Sequence, residues 1–126
     1  MRILIVEDDE AITEAIASLL ADEGYAAVAA PDGRAALEKL RDGEKTDLIL
    51  LDMSMPGMNG WQFREEQLKD AVLASVPVVV CTADGRAEAT ARSVGAADWL
   101  QKPIDPARLL ELVGKYCGPP FAKAVA

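Results

Sequence analysis

Short runs of apolar residues alternate along the chain with segments in which apolar positions recur every three or four residues. The runs at 48–51 and 78–80 are apolar without interruption, which is typical of strands buried on both faces of a parallel sheet. We predict five strands, at 2–6, 25–30, 47–51, 77–82 and 98–101. Because a helical pattern follows each strand, the predicted fold is a doubly wound (βα)5 α/β sheet with helices on both faces.

Five helices are predicted by the same pattern. The first, with Asp9 as its N-cap and Gly24 as its stop, carries an apolar stripe from Ile12 to Leu20 at helical spacing. The remaining four are predicted at 34–41, 59–71, 85–94 and 106–117. The helix at 85–94 has only alanines and Val94 to bury, so we expect it to be weakly docked and mobile.

Composition narrows the possible functions. The chain has 126 residues, and we expect one domain at 1–118 followed by a tail or linker at 119–126. A net charge of −8 argues against direct nucleic-acid binding. The absence of histidine excludes Ser-His-Asp catalysis, histidine-ligated metals and phosphohistidine on this chain. With no apolar run long enough to span a membrane and only two cysteines, a cytoplasmic location is expected.

Chemically useful side chains follow the predicted strands, at the edge where open α/β sheets place their ligand sites. Glu7 and Asp8 follow the first strand, Asp52 the third, Thr82 ends the fourth, and Lys102 follows the fifth. Carboxylates this close repel one another unless a cation joins them, and oxygen ligands of this kind suit Mg²⁺. A metal-bound aspartate is a workable nucleophile toward phosphorus, while a lysine and a hydroxyl can donate to phosphoryl oxygens.

Each of these residues also has an ordinary structural explanation. Asp9 is interpreted as a helix cap, and capping would also be the default role for Glu7 or Asp8 considered alone. Asp52 alone would suit the start of the turn at 55–57. The threonine and the lysine alone would be ordinary strand and surface residues. The functional interpretation therefore depends on the whole set lying at one edge of the sheet.

Four segments, at 3–9, 50–60, 78–83 and 100–103, resemble in this order the motifs of response-regulator receiver domains. These are the chemotaxis-type modules of two-component signalling, and the resemblance covers about residues 2–117. It implies a flavodoxin-like sheet with the strand order 2-1-3-4-5. It also implies a phosphorylation-activated signalling switch or phosphorelay intermediate rather than an enzyme, although such a module assists its own phosphorylation and dephosphorylation.

The resemblance also implies roles for individual residues. Asp52 matches the phosphoacceptor, which takes a phosphoryl group from a partner histidine kinase or histidine phosphotransfer protein. The implied cofactor is Mg²⁺ (or Mn²⁺), held by Glu7, Asp8, Asp52 and the backbone carbonyl of Ser54. Lys102 matches the lysine that pairs with the phosphoryl group, and its bond to Pro103 is expected to be cis.

Thr82 matches the hydroxyl that turns toward the phosphoryl group, and Trp99 matches the aromatic switch residue, which is usually a smaller ring. Ser54 and Asp84 occupy positions that tune the phosphoryl lifetime. Trp61 matches no family role and is interpreted as a packing residue. Phosphorylation would repack the face formed by the predicted helix at 85–94, the fifth strand and the last helix, which would then meet a downstream protein as a monomer or weak dimer.

Several alternatives stay open at this stage. The chain could be a receiver excised from a larger regulator or hybrid kinase, or a scaffold of the same fold that binds proteins without being phosphorylated. An aspartate-nucleophile phosphohydrolase would need a second acid two residues after the nucleophile, where this chain has Ser54. A flavin-binding module would need a phosphate-binding loop after the first strand, where this chain has the acids at 7–9.

Overall fold

The structure is a computed structural model that describes residues 1–55 and 57–118. The elements in chain order are β1 (Arg2–Val6), α1 (Glu10–Asp22), β2 (Ala26–Ala30), α2 (Gly33–Leu40), β3 (Leu48–Asp52), α3 (Gly60–Leu68), α4 (Ala71–Ala74), β4 (Val78–Thr82), α5 (Ala87–Ser93), β5 (Asp98–Gln101) and α6 (Pro106–Cys117). The strands form one parallel sheet in the order β2-β1-β3-β4-β5, which confirms the predicted topology. Pro56 of the predicted turn and the predicted tail at 119–126 lie outside the described residues.

The central strands are buried on both faces, as their uninterrupted apolar sequences predict. In β1, Leu4 and Val6 belong to one core cluster, whereas Ile3 and Ile5 belong to a second cluster on the opposite face. The same alternation continues through β3 and β4, all ten residues of which are buried. Successive side chains of a strand point to opposite faces, so a strand between two helical layers needs apolar residues at nearly every position.

The helices are divided between these two faces. The cluster that contains Ile3 also contains Leu20 of α1 and Leu109 of α6, so these two helices cover one face. The cluster that contains Leu4 includes Leu37 of α2 and Phe63 of α3, together with residues of α4 and α5. Within the described residues, no helix has both the length and the apolar character that a membrane span requires.

One predicted helix, at 59–71, was wrong in its extent. The chain forms α3, which ends with Lys69 as its C-cap, and then the separate one-turn helix α4. The side chain of Asp70 accepts hydrogen bonds from the N–H groups of Val72 at 2.9 Å and Leu73 at 3.4 Å. The capping bonds of Asp70 favour the start of α4 over the continuation of α3. The pattern of apolar positions contains no sign of such a cap.

The other predicted boundaries agree with the structure to within a few residues. Asp9 caps α1 and Asp105 caps α6, which begins with the predicted Pro106 at its first position. Gly24, with φ of 91°, follows the end of α1. α5 is shorter than the predicted helix at 85–94, and its buried side chains are small, as expected. Its mobility stays a prediction.

Candidate functional site

The register of the sheet brings the chemically useful residues to one edge. Glu7 lies beside Asp52, because the residues that precede them are partners in the β1–β3 pairing. Thr82 follows the β4 partner of Asp52 and pairs with the residue before Lys102. These strand ends surround an open cleft whose lining residues are Glu7, Asp8, Asp9, Ile12, Asp52, Ser54, Thr82, Ala83, Asp84 and Lys102. The cleft thus contains every residue predicted for the phosphoryl and metal site.

Lys102 is the cation that faces the buried acids. Its Nζ atom donates a hydrogen bond to Glu7 Oε1 at 2.8 Å and lies 3.5 Å from Asp52 Oδ1. Burial on its own would lower the pKa of Lys102, but the hydrogen bond to Glu7 and the charge of both carboxylates raise it above its ordinary value. The backbone N–H of Lys102 donates to the carbonyl of Thr82 at 2.8 Å, and the bond to Pro103 is cis, as the resemblance implied.

Glu7 carries the strongest electrostatic perturbation in the cleft. Burial, followed by the neighbouring carboxylate of Asp52, raises the pKa of Glu7 to about 7, although Lys102 acts in the lowering direction. Its Oε2 atom is buried and has no hydrogen-bond partner among the described residues. An unpartnered carboxylate oxygen next to a second carboxylate is costly unless a cation or a donor completes it.

An acidic cluster in this cleft has the donor set of a metal site. Glu7, Asp8 and Asp52 each place one carboxylate oxygen within 4.8 Å of the others. Glu7 and Asp52 are buried, whereas Asp8 is exposed and would leave room for water ligands. These hard oxygen donors suit Mg²⁺, which retains several waters when it binds to protein carboxylates. The orphaned Oε2 of Glu7 is the observation that best fits a cation at this cluster.

The backbone around Asp52 holds its carboxylate at the end of β3. The N–H of Ser54 donates to Asp52 Oδ1 at 3.2 Å, so this oxygen faces both Ser54 and Lys102. Gly60 begins α3 directly against this segment, where a Cβ atom would come within 2.7 Å of the Cα of Met53. Only glycine allows that close approach, and the start of α3 is consequently held close to Met53, the residue after the acid.

The buried hydroxyl of Thr82 faces the loop that leads to α5. Its Oγ1 accepts a hydrogen bond from the N–H of Asp84 at 3.4 Å. Trp99 lies apart from the cleft lining, half-buried on β5 and packed against the core cluster that contains Val80 and Ala91. Thr82 therefore lines the cleft and Trp99 does not, and the predicted switch roles of both residues stay predictions.

The interpretation of Trp61 as a packing residue was wrong. Trp61 is the second residue of α3 and is 47 % exposed. The buried face of α3 is formed instead by Phe63, Arg64 and Gln67. Two of these buried side chains are long and polar, which the apolar pattern of the sequence does not indicate.

The cleft favours carboxylate chemistry over thiol chemistry. Cys81 lies next to Thr82 on β4, but burial raises the pKa of its thiol to about 12, so little thiolate forms at neutral pH. Asp52, in contrast, lines the open cleft beside a lysine and two further acids. The arrangement can bring a divalent cation, a carboxylate nucleophile and two donors to one phosphoryl group.

Comparison with known proteins identifies the family. A model of the response regulator receiver domain matches residues 3–114. The phosphate regulon transcriptional regulatory protein PhoB of Escherichia coli is 37 % identical over 111 residues, which cover 86 % of this chain but 48 % of that protein. The chain thus spans about half the length of that relative. Protein PilH of Pseudomonas aeruginosa is 32 % identical over 114 residues, covering 89 % of this chain and 93 % of that protein.

Solved structures agree with this assignment. The chemotaxis response regulator CheY4 of Vibrio cholerae superposes with a TM-score of 0.83 and 31 % identity, covering 91 % of this chain and 97 % of that one. A response regulator from Chloroflexus aurantiacus superposes with a TM-score of 0.84 and 27 % identity over 91 % of this chain. From the cleft, the sheet order and these matches together, the chain belongs to the response regulator receiver domain family of two-component signalling systems.

Proposed function

We propose that this chain is a phosphorylation-activated switch that accepts a phosphoryl group on Asp52 from the phosphohistidine of a partner kinase or phosphotransfer protein. The observation that carries the proposal is the position of Lys102, whose ammonium lies between the buried carboxylates of Glu7 and Asp52 in an open cleft. If Lys102 only stabilised the fold, an ion pair with a single acid would be enough. The additional carboxylates and the buried hydroxyl of Thr82 favour a site for an anion bound together with a cation.

The acceptor in this proposal is the carboxylate of Asp52. Its oxygen forms a new bond to phosphorus while the bond between phosphorus and the donor imidazole nitrogen breaks, and the electron pair leaves with the imidazole. When bound by Glu7, Asp8, Asp52 and the carbonyl of Ser54, Mg²⁺ (or Mn²⁺) would neutralise the charge on the phosphoryl oxygens. In this proposal the chain supplies the nucleophile and the groups that would hold the metal ion, and the partner supplies the activated phosphoryl group.

Two donors of the cleft would then bind the phosphorylated side chain. Lys102 is charged and close enough to Asp52 to pair with a phosphoryl group attached there. The Thr82 hydroxyl is a donor as well as an acceptor, so it can rotate away from the N–H of Asp84 to reach the same oxygens. A shift of Thr82 would be passed to the following loop and to α5, and from there to the face formed by α5, β5 and α6.

The proposed partners are a histidine kinase or phosphotransfer protein and a downstream protein that meets the α5–β5–α6 face. A stand-alone receiver and a receiver within a larger regulator both fit the comparisons, since PilH is matched over 93 % of its length and PhoB over 48 % of its length. A scaffold that is never phosphorylated is the second alternative, and the cleft's acids and lysine argue against it because such a scaffold has no use for them.

Incubation of the wild-type chain with acetyl phosphate and Mg²⁺ is expected to add one phosphoryl group, measured by intact mass. Removal of Mg²⁺ with EDTA should abolish the addition, because the acids of the cleft would then repel the incoming phosphoryl oxygens. Inorganic phosphate with Mg²⁺ is the control donor, since it lacks an activated leaving group. Failure with both acetyl phosphate and a phosphohistidine donor would overturn the proposal in favour of the scaffold alternative.

A further inference from the structure

Arg64 is a buried cation that lies outside the cleft and has no acidic partner among the described residues. It lies on the inner face of α3 and is 9 % exposed. None of the ion pairs among the described residues includes it. Burial of an uncompensated guanidinium is costly, so its hydrogen bonds must recover much of that cost. The contacts of the Arg64 guanidinium therefore determine whether its burial is tolerated.

The guanidinium contacts the end of a different helix. Its Nε donates to the carbonyl of Val94 at 2.9 Å, and Nη2 donates to the carbonyl of Gly95 at 2.9 Å. Nη1 donates to Oε1 of Gln67 at 2.8 Å. Val94 is the C-cap of α5, and charge-assisted hydrogen bonds to carbonyls at a helix C-terminus are among the stronger ones. α3 is thus bonded to the C-terminal end of α5.

Gln67 extends this network to the segment before β4. Its side chain is fully buried, and Nε2 donates to the carbonyls of Leu73 at 2.9 Å and Val76 at 3.2 Å. Arg64 and Gln67, which we call the Arg64–Gln67 network, therefore hold together α3, the α4–β4 connection and the end of α5. The polar atoms of both side chains are matched to backbone carbonyls or to each other, as buried polar groups must be.

The C-terminal end of α5 is closed by its own backbone as well. Gly95 has φ of 67°, and its N–H donates to the carbonyl of Arg92 at 3.3 Å. The N–H of Ala96 donates to the carbonyl of Ala91 at 2.8 Å. This pair of bonds is the Schellman arrangement, which terminates helices at a glycine in the left-handed region. The Arg64–Gln67 network binds the two carbonyls next to it.

The opposite end of α5 is held much less firmly. Its N-cap position is Arg86, which makes no side-chain capping bond. Residues 83–86, which connect α5 to Thr82, are all exposed. The helix itself buries only Ala87, Thr90 and Ala91, so apolar contact contributes little to fixing its orientation. One end of α5 is thus fixed by charge-assisted hydrogen bonds, and the other end adjoins the site.

We propose that Arg64 is a positioning residue that anchors the C-terminal end of α5, so that α5 pivots there while its N-terminal end follows Thr82 when the switch operates. The anchoring is a property of the resting structure and stands without any phosphorylation. The pivoting rests on the proposed function. The device explains how a helix with small buried side chains can rearrange at one end without detaching at the other.

Amide hydrogen exchange measured by NMR tests the two parts separately. In the resting state, Arg64→Met is expected to accelerate exchange of the Val94, Gly95 and Ala96 amides at least tenfold, because their helix end loses its anchor. Arg92→Met is the matched control, since Arg92 is an exposed arginine of α5 whose side chain pairs, within residues 1–55 and 57–118, with Glu88 alone. It should leave those three amides unchanged. Unchanged exchange in Arg64→Met would overturn the anchoring.

The pivot is tested by repeating the measurement after phosphorylation with acetyl phosphate and Mg²⁺. The wild type should show altered exchange and chemical shifts at 83–90 and little change at 94–96, whereas Arg64→Met should show changes along the whole of α5. Changes in the wild type that are equal at both ends would overturn the pivot. Lack of phosphoryl uptake, read by mass in the same samples, would instead mark failure of the proposed function.

A milder variant covers the case in which Arg64→Met does not fold. Arg64→Lys keeps a buried cation but replaces the planar fork of donors by a single ammonium, which cannot reach both carbonyls with the same geometry. It should accelerate exchange at 94–96 by a smaller factor than methionine does. Exchange as slow as in the wild type would show that charge alone holds the helix end, contrary to the anchoring geometry.

Discussion

Asp52→Asn is expected to take up no phosphoryl group from acetyl phosphate or from a phosphohistidine donor, with loss of at least 95 % of the labelling seen in the wild type (a twentyfold ratio in rate corresponds to ~2 kcal/mol). The amide has nearly the same shape as the carboxylate, so β3 and the cleft should stay intact. It is a far weaker nucleophile, and it removes one of the three carboxylates of the acidic cluster. Intact mass with Mg²⁺ present measures the outcome.

Asp9→Asn is the matched control for this substitution. Asp9 lines the same cleft, but its side chain caps α1 by accepting from the N–H groups of Ala11 and Ile12. Asparagine caps helices about as well as aspartate, so labelling should stay close to that of the wild type. Full labelling of Asp52→Asn would mean that another residue is the acceptor. Loss of labelling in both variants would mean that the charge of the cleft, rather than one nucleophile, controls uptake.

Lys102→Met is expected to lower the free energy of unfolding by about 2 kcal/mol in urea at pH 8 with EDTA. Removing one partner of a buried ion pair typically costs ~3–5 kcal/mol, because the remaining charge stays buried without compensation. Here two carboxylates, those of Glu7 and Asp52, would face each other without the ammonium. The expected loss of stability on removing Lys102 falls below this range because Glu7, whose pKa is raised to about 7, can bind a proton in place of the lost ion pair.

Two further variants make this prediction specific. Lys115→Met removes an exposed lysine whose Nζ lies 3.6 Å from a carboxylate oxygen of Asp98, and it should change stability by less than ~1 kcal/mol. Adding Glu7→Gln to Lys102→Met should restore much of the lost stability, since one of the two facing charges is then gone. If the double variant is as unstable as Lys102→Met, the loss comes from packing of the lysine stem rather than from electrostatics.

The strand ends were the most predictable part of the molecule. A parallel sheet needs continuous apolar strands, and this requirement locates β1, β3 and β4 in the sequence without any structural information. Once the strands are placed, the connectivity brings Glu7, Asp52 and Lys102 to one edge, as the structure confirms. Local capping chemistry is equally direct, as Asp9 and Asp105 show.

The region from α3 to α5 was predicted less well, for a common physical reason. Its structure depends on polar side chains that bond to backbone groups, and such contacts leave no periodic signal in the apolar pattern. Asp70 starts a new helix within a predicted one. Arg64 and Gln67 occupy buried positions on α3, whereas Trp61, which was interpreted as a packing residue, is exposed. The sequence signal for this arrangement was weak. It consisted of two polar residues three positions apart, Arg64 and Gln67, which share the buried face of α3 with Phe63.

The central claim, that Asp52 is the phosphoacceptor, is tested most directly by locating the phosphoryl group. Borohydride reduces an aspartyl phosphate to homoserine, and trypsin would then release the peptide 46–64, which contains both Asp47 and Asp52. Tandem mass spectrometry of the wild type, treated with acetyl phosphate and Mg²⁺ and then with borohydride, should find homoserine at position 52 and unmodified aspartate at position 47. Homoserine at Asp8, at Asp47 or at any other aspartate, with Asp52 unmodified, would contradict the account.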